Sequence, residues 1–276
     1  MENINLRFLI PWDFTPVAEN ALKYSIKIGS LGVTPTIELI HIIESGGLFS
    51  KGTMTEKDAT EKLKIEHQRI NEQYNIDVKT TVMEGSIFNA ISDYAADINA
   101  DMVIMGTHGI KGVQKLTGSR ALKVIAGSSV PFLVVQDAPK DKRVFEHVVM
   151  PLDFSFDEKE KLQWAIKVSI QYKSKIHIII PNSFDAGVQK KVNYNLAFAK
   201  KHLESYNIPY EIHSAGKGSS FHEEIVKLAL DIEADLILIM TSGSLDFTDY
   251  VFGAQEQHVI ANKAMIPVMC INQAMG

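Results

Sequence analysis

The sequence predicts an α/β protein built as two tandem, doubly wound parallel five-stranded sheets flanked by helices. Three observations carry this expectation. Segments recur in register: FLIPWDFT (8–15) with VVMPLDFS (148–155), INADMVIM (98–105) with IEADLILI (232–239), and VPFLVVQ (130–136) with IPVMCIN (266–272). Three matches in the same order, at nearly constant offset, mark a duplication. Strand-like runs alternate with amphipathic helical ones, as crossover units require. The runs themselves, such as Met102-Val103-Ile104-Met105, are continuously apolar, as in strands covered on both faces. The joint is the short, charged, proline-containing stretch 137–143, which separates a first repeat, 1–138, from a second, 144–276.

The elements follow in order. Residues 6–11 form an apolar strand. Thr15 or Pro16 opens a helix, since threonine caps and proline in the first turn sacrifices no needed N–H. Its inner face is Val17, Ala21, Leu22, Ser25, Ile28 and Gly29. Residues 37–43 are the second strand, and 45–54 a glycine-containing loop. A long polar helix runs from 56 to about 74, with Leu63, Ile65 and Ile70 as its sparse apolar side. A strand at 77–83 precedes a helix capped by Ser86 and reaching Asn99. Residues 102–106 make the fourth strand, 118 to about 127 a fourth helix, and 131–136 the fifth strand. The second repeat keeps this order. Its strands are 148–150, 176–180, 210–214, 236–240 and 268–271; its helices end near 172 or lie near 188–205, 220–233 and 255–263.

Composition narrows the functions. The 276 residues are 46% hydrophobic and 22% charged, with net charge −5 and pI near 6.0. A mildly acidic chain gives no electrostatic reason to expect nucleic-acid binding. The single cysteine, Cys270, allows no intrachain disulfide and reads as a core residue in a reducing compartment. There is no run of the ~18–20 apolar residues a membrane span needs, and the first residues lack the pattern of a secretion signal. The expectation is a cytoplasmic protein with no membrane partner.

In a doubly wound sheet, ligands bind at the carboxyl ends of the strands, near the reversal of strand order. Pro11-Trp12-Asp13, His41-Ile42-Ile43 and Gly106-Thr107-His108-Gly109 end there together, and the helix opening at Gly118-Ser119 points its N-terminus at the same place. Unpaired N–H groups and the helix dipole favour an anion, and glycine lets a phosphate approach the backbone. Ser119 adds a hydroxyl; Arg120, Lys111 and Lys115 add positive charge. Ile42 and Met105 offer an apolar shelf for a flat base. Asp13 has two readings, a cap for the first helix or an acceptor for ribose hydroxyls and a metal ion. His108 reads as a surface loop residue, and His41 and Trp12 as packing residues. Other phosphate motifs are excluded: 112–119 has the wrong spacing for a P-loop and no lysine before the serine, and no GxGxxG follows the first strand. No cluster with metal-ligand spacing and no nucleophile–base arrangement stands out.

These residues resemble the universal stress protein family. The resemblance spans both repeats and rests on Pro11-x-Asp13-Phe14-Thr15, on 99–109 (NADMVIMGTHG), on Gly118-Ser119 and on 130–135 (VPFLVV). It implies the fold of the adenine nucleotide α-hydrolase group and a bound ATP, with or without Mg²⁺. On that resemblance Gly106 and Gly109 would line the ribose–phosphate turn, with His108 between them. Gly118 and Ser119, followed by Arg120, would hold the phosphates; Asp13, after Pro11, would approach the nucleoside, and Ile42 the adenine. The family's ATP-binding members place nine residues between the second glycine and the G-[ST] pair. Here 110–117 supplies eight. The second repeat departs further: Met240 replaces the first glycine, Ala254 replaces the hydroxyl, and Asp246 and Asp249 add negative charge to the loop. Its site is expected to be degenerate.

The fifth strands are short, apolar and last in each repeat, and an uncovered apolar edge invites aggregation. Pairing them within one chain would bury both as an intrachain pseudo-dimer; family members dimerise through this strand, and two chains could associate further. The functional expectation is a sensor or regulator of the stress response that binds an adenine nucleotide in its first repeat. No general base has a defined place, so slow ATP hydrolysis is the most that is implied. The alternative is a nucleotide-free module of the same fold that recognises a protein surface or an apolar ligand.

Overall fold

The computed structural model describes residues 6–29, 35–44, 54–107, 124–125, 128–140, 144–152, 158–241 and 254–272. The chain divides into two compact units, Met1–Pro139 and Lys140–Gly276. The first contains β1 (Arg7–Pro11), α1 (Pro16–Gly29), β2 (Thr36–Ile43), α2 (Glu56–Tyr74), β3 (Val78–Glu84), α3 (Ile87–Asp97), β4 (Met102–Gly106) and β5 (Phe132–Val135). Its strands lie in the order β3-β2-β1-β4-β5, all parallel. The second contains β6 (His147–Pro151), α4 (Glu158–Tyr172), β7 (Lys175–Ile180), α5 (Ala186–Ser205), β8 (Tyr210–Ser214), α6 (Phe221–Asp231), β9 (Leu236–Thr241), α7 (Ala254–Ile260) and β10 (Val268–Asn272). Its order is β8-β7-β6-β9-β10, again all parallel. Each unit is the expected doubly wound sheet. In each, the first strand lies between the second and the fourth, and there the order reverses.

The elements sit within a few residues of their expected places because the local chemistry is legible. Pro16 is the first residue of α1, and its expected inner face is buried throughout. Ser86 accepts from the Phe88 N–H at 3.4 Å, and Ser220 and Glu223 form a reciprocal capping box. Along α2, Ala59, Leu63 and Ile70 are buried, but Ile65 is 59% exposed. This corrects the expected apolar side: two residues beyond Leu63 is 200° around a helix, so Ile65 cannot share its stripe. Of the expected fourth helix, Val124 and Ile125 are helical and buried, and the rest lies outside the described residues. Cys270 lies fully buried in β10.

The recurring Asp101 and Asp235 have one structural job. The Arg7 N–H donates to Asp101 Oδ2 at 2.8 Å, and the Glu146 N–H to Asp235 Oδ2 at 2.9 Å. Each aspartate N–H returns a bond to the first strand, to the carbonyl of Arg7 or of His147. The carboxylate therefore pins the start of each unit's first strand beside its fourth.

Within the first unit, α1 and α2 are joined by a polar network. Arg69 donates to Glu19 Oε2 at 2.6 Å and to Glu66 Oε2 at 2.8 Å, and the Tyr74 hydroxyl donates to Glu19 Oε1 at 2.7 Å. Burial pushes the Glu19 carboxyl up, but the bonds from Arg69 and Tyr74 outweigh it and leave it below its ordinary value. Tyr74 is pushed up to about 12, by burial first and then by Glu19.

Candidate functional site

The reversal of strand order in the first unit puts the carboxyl ends of β1 and β4 side by side. β1 ends at Pro11 and leads into Trp12-Asp13-Phe14; β4 ends at Gly106 and leads into Thr107. Pro11, Trp12, Gly106 and Thr107 are buried, whereas Asp13 is exposed. Thr107 continues the ladder by donating its N–H to the Val135 carbonyl at 2.8 Å.

The turn after β1 is held from several sides. The Trp12 N–H donates to the Ile40 carbonyl at 2.7 Å. His41, on β2, donates from Nδ1 to the Trp12 carbonyl at 2.7 Å, and its ring lies 4.9 Å from that of Phe14. Lys62, on α2, places its ammonium 5.6 Å from the Phe14 ring centroid. Phe14 has φ of 62°, a left-handed conformation that a bulky side chain rarely adopts and that surrounding contacts must impose. His41 therefore positions the turn as well as packing against it, a role its isolated place in an apolar strand could not disclose. The Trp12 indole N–H is buried with no hydrogen-bond partner among the described residues.

Asp13 closes the turn before α1 and accepts from no N–H of the helix itself among the described residues. Its Oδ1 accepts from the Thr15 N–H at 3.1 Å and from the Thr15 hydroxyl, a side-chain turn that leads the chain into α1. The carboxylate remains exposed, so its other oxygen is open to solvent and to a ligand.

The remaining expected site residues divide into two groups. Ile42 is half-buried at the end of β2. Met105 is only 1% exposed, so its side chain belongs to the core and presents little surface to a base. Gly106 has a packing reason of its own: a Cβ there would lie 2.0 Å from the Val17 carbonyl oxygen of α1. His108, Gly109, Gly118, Ser119 and Arg120 lie outside the described residues.

The second unit departs from this pattern at the same level of its sheet. β4 pairs Gly106 with Val135, and β9 pairs Met240 with Ile271, so the register places Met240 at the glycine's position. Lys161, buried on α4, donates its ammonium to the Pro151 carbonyl at the end of β6. The Thr241 hydroxyl donates to the Ile271 carbonyl at 3.3 Å and to the Asn272 side chain. A long side chain replaces the glycine, and a buried cation bonds the carbonyl that closes the first strand.

Fold and site together define the class: a tandem α/β protein whose first unit keeps an acidic turn and a glycine at the reversal point. Residues 5–136, nearly the whole of the first unit, match the model of the universal stress protein family, and the chain resembles that family. It is 28% identical over 150 residues to a universal stress protein of Methanocaldococcus jannaschii, covering 51% of this chain and 87% of that protein. It is 23% identical over 143 residues to a universal stress protein A homologue of Coxiella burnetii, covering 45% of this chain and 90% of that one. The crystal structure of a universal stress protein from Archaeoglobus fulgidus superposes with a TM-score of 0.74 at 18% identity, covering 97% of this chain and 96% of the other. That likeness extends the fold over both units. Among the described residues no helix is long and apolar enough to cross a membrane.

Proposed function

We propose that the first repeat binds ATP or a related adenine nucleotide at the carboxyl ends of β1 and β4, and that occupancy regulates the protein in a stress response. The observation that carries this reading is the exposed Asp13 carboxylate on a turn that Ile40, His41 and Phe14 hold in place, where the strand order reverses. The GTHG stretch that begins at Gly106 and the Gly118-Ser119 pair support it through their likeness to the family's ATP-binding pattern. In this reading Asp13 and Ile42 receive the nucleoside, and the backbone N–H groups at Gly109 and Gly118, with Ser119 and Arg120, receive the phosphates. Mg²⁺ would be held by the phosphates with Asp13 nearby. The second repeat does not share the function, because Met240, Ala254 and the engaged Lys161 replace its key features. Pairing of the two repeats through their apolar fifth strands belongs to the same proposal, as does a cytoplasmic location for a chain whose one cysteine is buried and allows no intrachain disulfide.

Thermal melting with ATP and Mg²⁺ tests the reading. Ligand at 100 times its dissociation constant adds about 2.7 kcal/mol of stability. Gly118→Val should abolish the shift and Gly253→Val should leave it intact. Absence of any shift would favour the nucleotide-free module, for which the eight-residue loop 110–117 is the motive.

A further inference from the structure

The second repeat carries a histidine ladder that the nucleotide reading does not use. Side chains two apart on a strand share a face, so Lys175 and His177 on β7 lie on one side, with Glu211 and His213 on β8 and His147 on β6. His147 Nδ1 lies 3.1 Å from His177 Nε2, and His177 Nδ1 lies 3.1 Å from His213 Nε2. Glu211 Oε2 is 3.9 Å from His177 Nδ1. One donor atom from each of His177, Glu211 and His213 falls within 4.8 Å of the others.

The first repeat shows what this position does when protein alone fills it. The register equates Glu38 with His177, since they pair with Leu9 and Val149, and Thr81 with His213, since they pair with Ile40 and Ile179. There Glu38 Oε1 accepts from the Thr81 hydroxyl at 2.7 Å and from the Tyr94 hydroxyl, on α3, at 2.5 Å. Tyr94 stands seven residues before Asp101, and Leu228 stands seven before Asp235. The second repeat thus has leucine where the first has a phenol donor, and imidazoles where it has a carboxylate and a hydroxyl.

We propose that His177, Glu211 and His213 form a binding site for a divalent transition-metal ion of the zinc type. Two imidazole nitrogens at about 2.0–2.1 Å from zinc stand about 3.3 Å apart in a tetrahedral shell, close to the spacing already present. Two nitrogens and a carboxylate oxygen, with water in the fourth place, are a donor set that zinc accepts. Coordination through His177 Nδ1 leaves its Nε2–H to donate to His147 Nδ1, the outer-shell bond that fixes a metal-bound ring. Lys175, 2.7 Å from Glu211, competes for the carboxylate. Glu211 is half-exposed on the edge strand and has room to turn toward the ion.

The full chain, made without a polyhistidine tag and stripped with chelator, is titrated with Zn²⁺ and with Co²⁺. One equivalent should bind, and Co²⁺ should develop the visible absorption of a four-coordinate nitrogen–oxygen site. Glu211→Gln and His213→Gln should each weaken binding by at least ~10-fold, and His147→Ala by ~10–100-fold as an outer-shell loss. His67→Ala, on α2, should change nothing. In the unaltered protein, nitrogen NMR should show the His177 and His213 rings moving on zinc addition, a readout independent of whether any variant folds. Absence of binding up to about 1 mM Zn²⁺, binding unaffected by His213→Gln, or binding that leaves both rings unshifted would overturn the proposal.

Discussion

Gly106 serves two masters. Its missing Cβ lets the Val17 carbonyl of α1 approach β4 to a distance that any other residue would forbid, and it opens the loop assigned to the phosphates. Gly106→Ala should therefore destabilise the protein by about 1–3 kcal/mol in denaturant melts even without nucleotide, as overpacking does. An unchanged midpoint would mean that α1 can withdraw. The packing reason was hidden in the sequence, because a helix pressing on a strand leaves no local trace; the glycine-rich string and the strand before it were visible. Asp13 was legible as capping or ligand-binding, and the structure supplies the bond to Thr15 while leaving the carboxylate exposed. His41 was not legible as a clamp, since its partner is a backbone carbonyl 29 residues away, in the turn after β1.

At the scale of elements, the joint between α1 and α2 rests on Arg69, Glu19 and Tyr74. Arg69→Met should cost about 0.5–1 kcal/mol at pH 7, the modest range for a partly exposed pair. Glu19 titrates below its ordinary value near 4.5 when folded, so the stability it contributes is full above that pH and is lost as pH falls through the folded value. The difference between wild type and Arg69→Met in urea melts should therefore shrink in acid; a constant difference would show that the pair acts through packing alone. Asp101→Ala should cost about 1.5–3 kcal/mol, because a charged acceptor is withdrawn from the β1 backbone. Strands and helices were largely legible, since apolar runs, Pro16, Ser86 and Ser220 mark them locally. Ile65 was misplaced because apolar character alone does not fix an angle around a helix.

At the scale of the molecule, duplication explains both what the two units share and how they differ. The aspartates that pin the first strands recur, and so does the parallel order. Away from these anchors each unit took its own chemistry: a glycine at the end of the fourth strand in one, a lysine-bonded strand end and a row of imidazoles in the other. The repeat, and with it the fold, could be read from three short segment pairs. The histidine row could not, because His147, His177 and His213 are spread over 67 residues and only the register brings them together. The most direct test of one live crevice in two is the stoichiometry of ATP binding to the whole chain by titration calorimetry in the presence of Mg²⁺. The account predicts one nucleotide per chain, lost in Gly118→Val; two per chain, or one that persists in that variant, would contradict it.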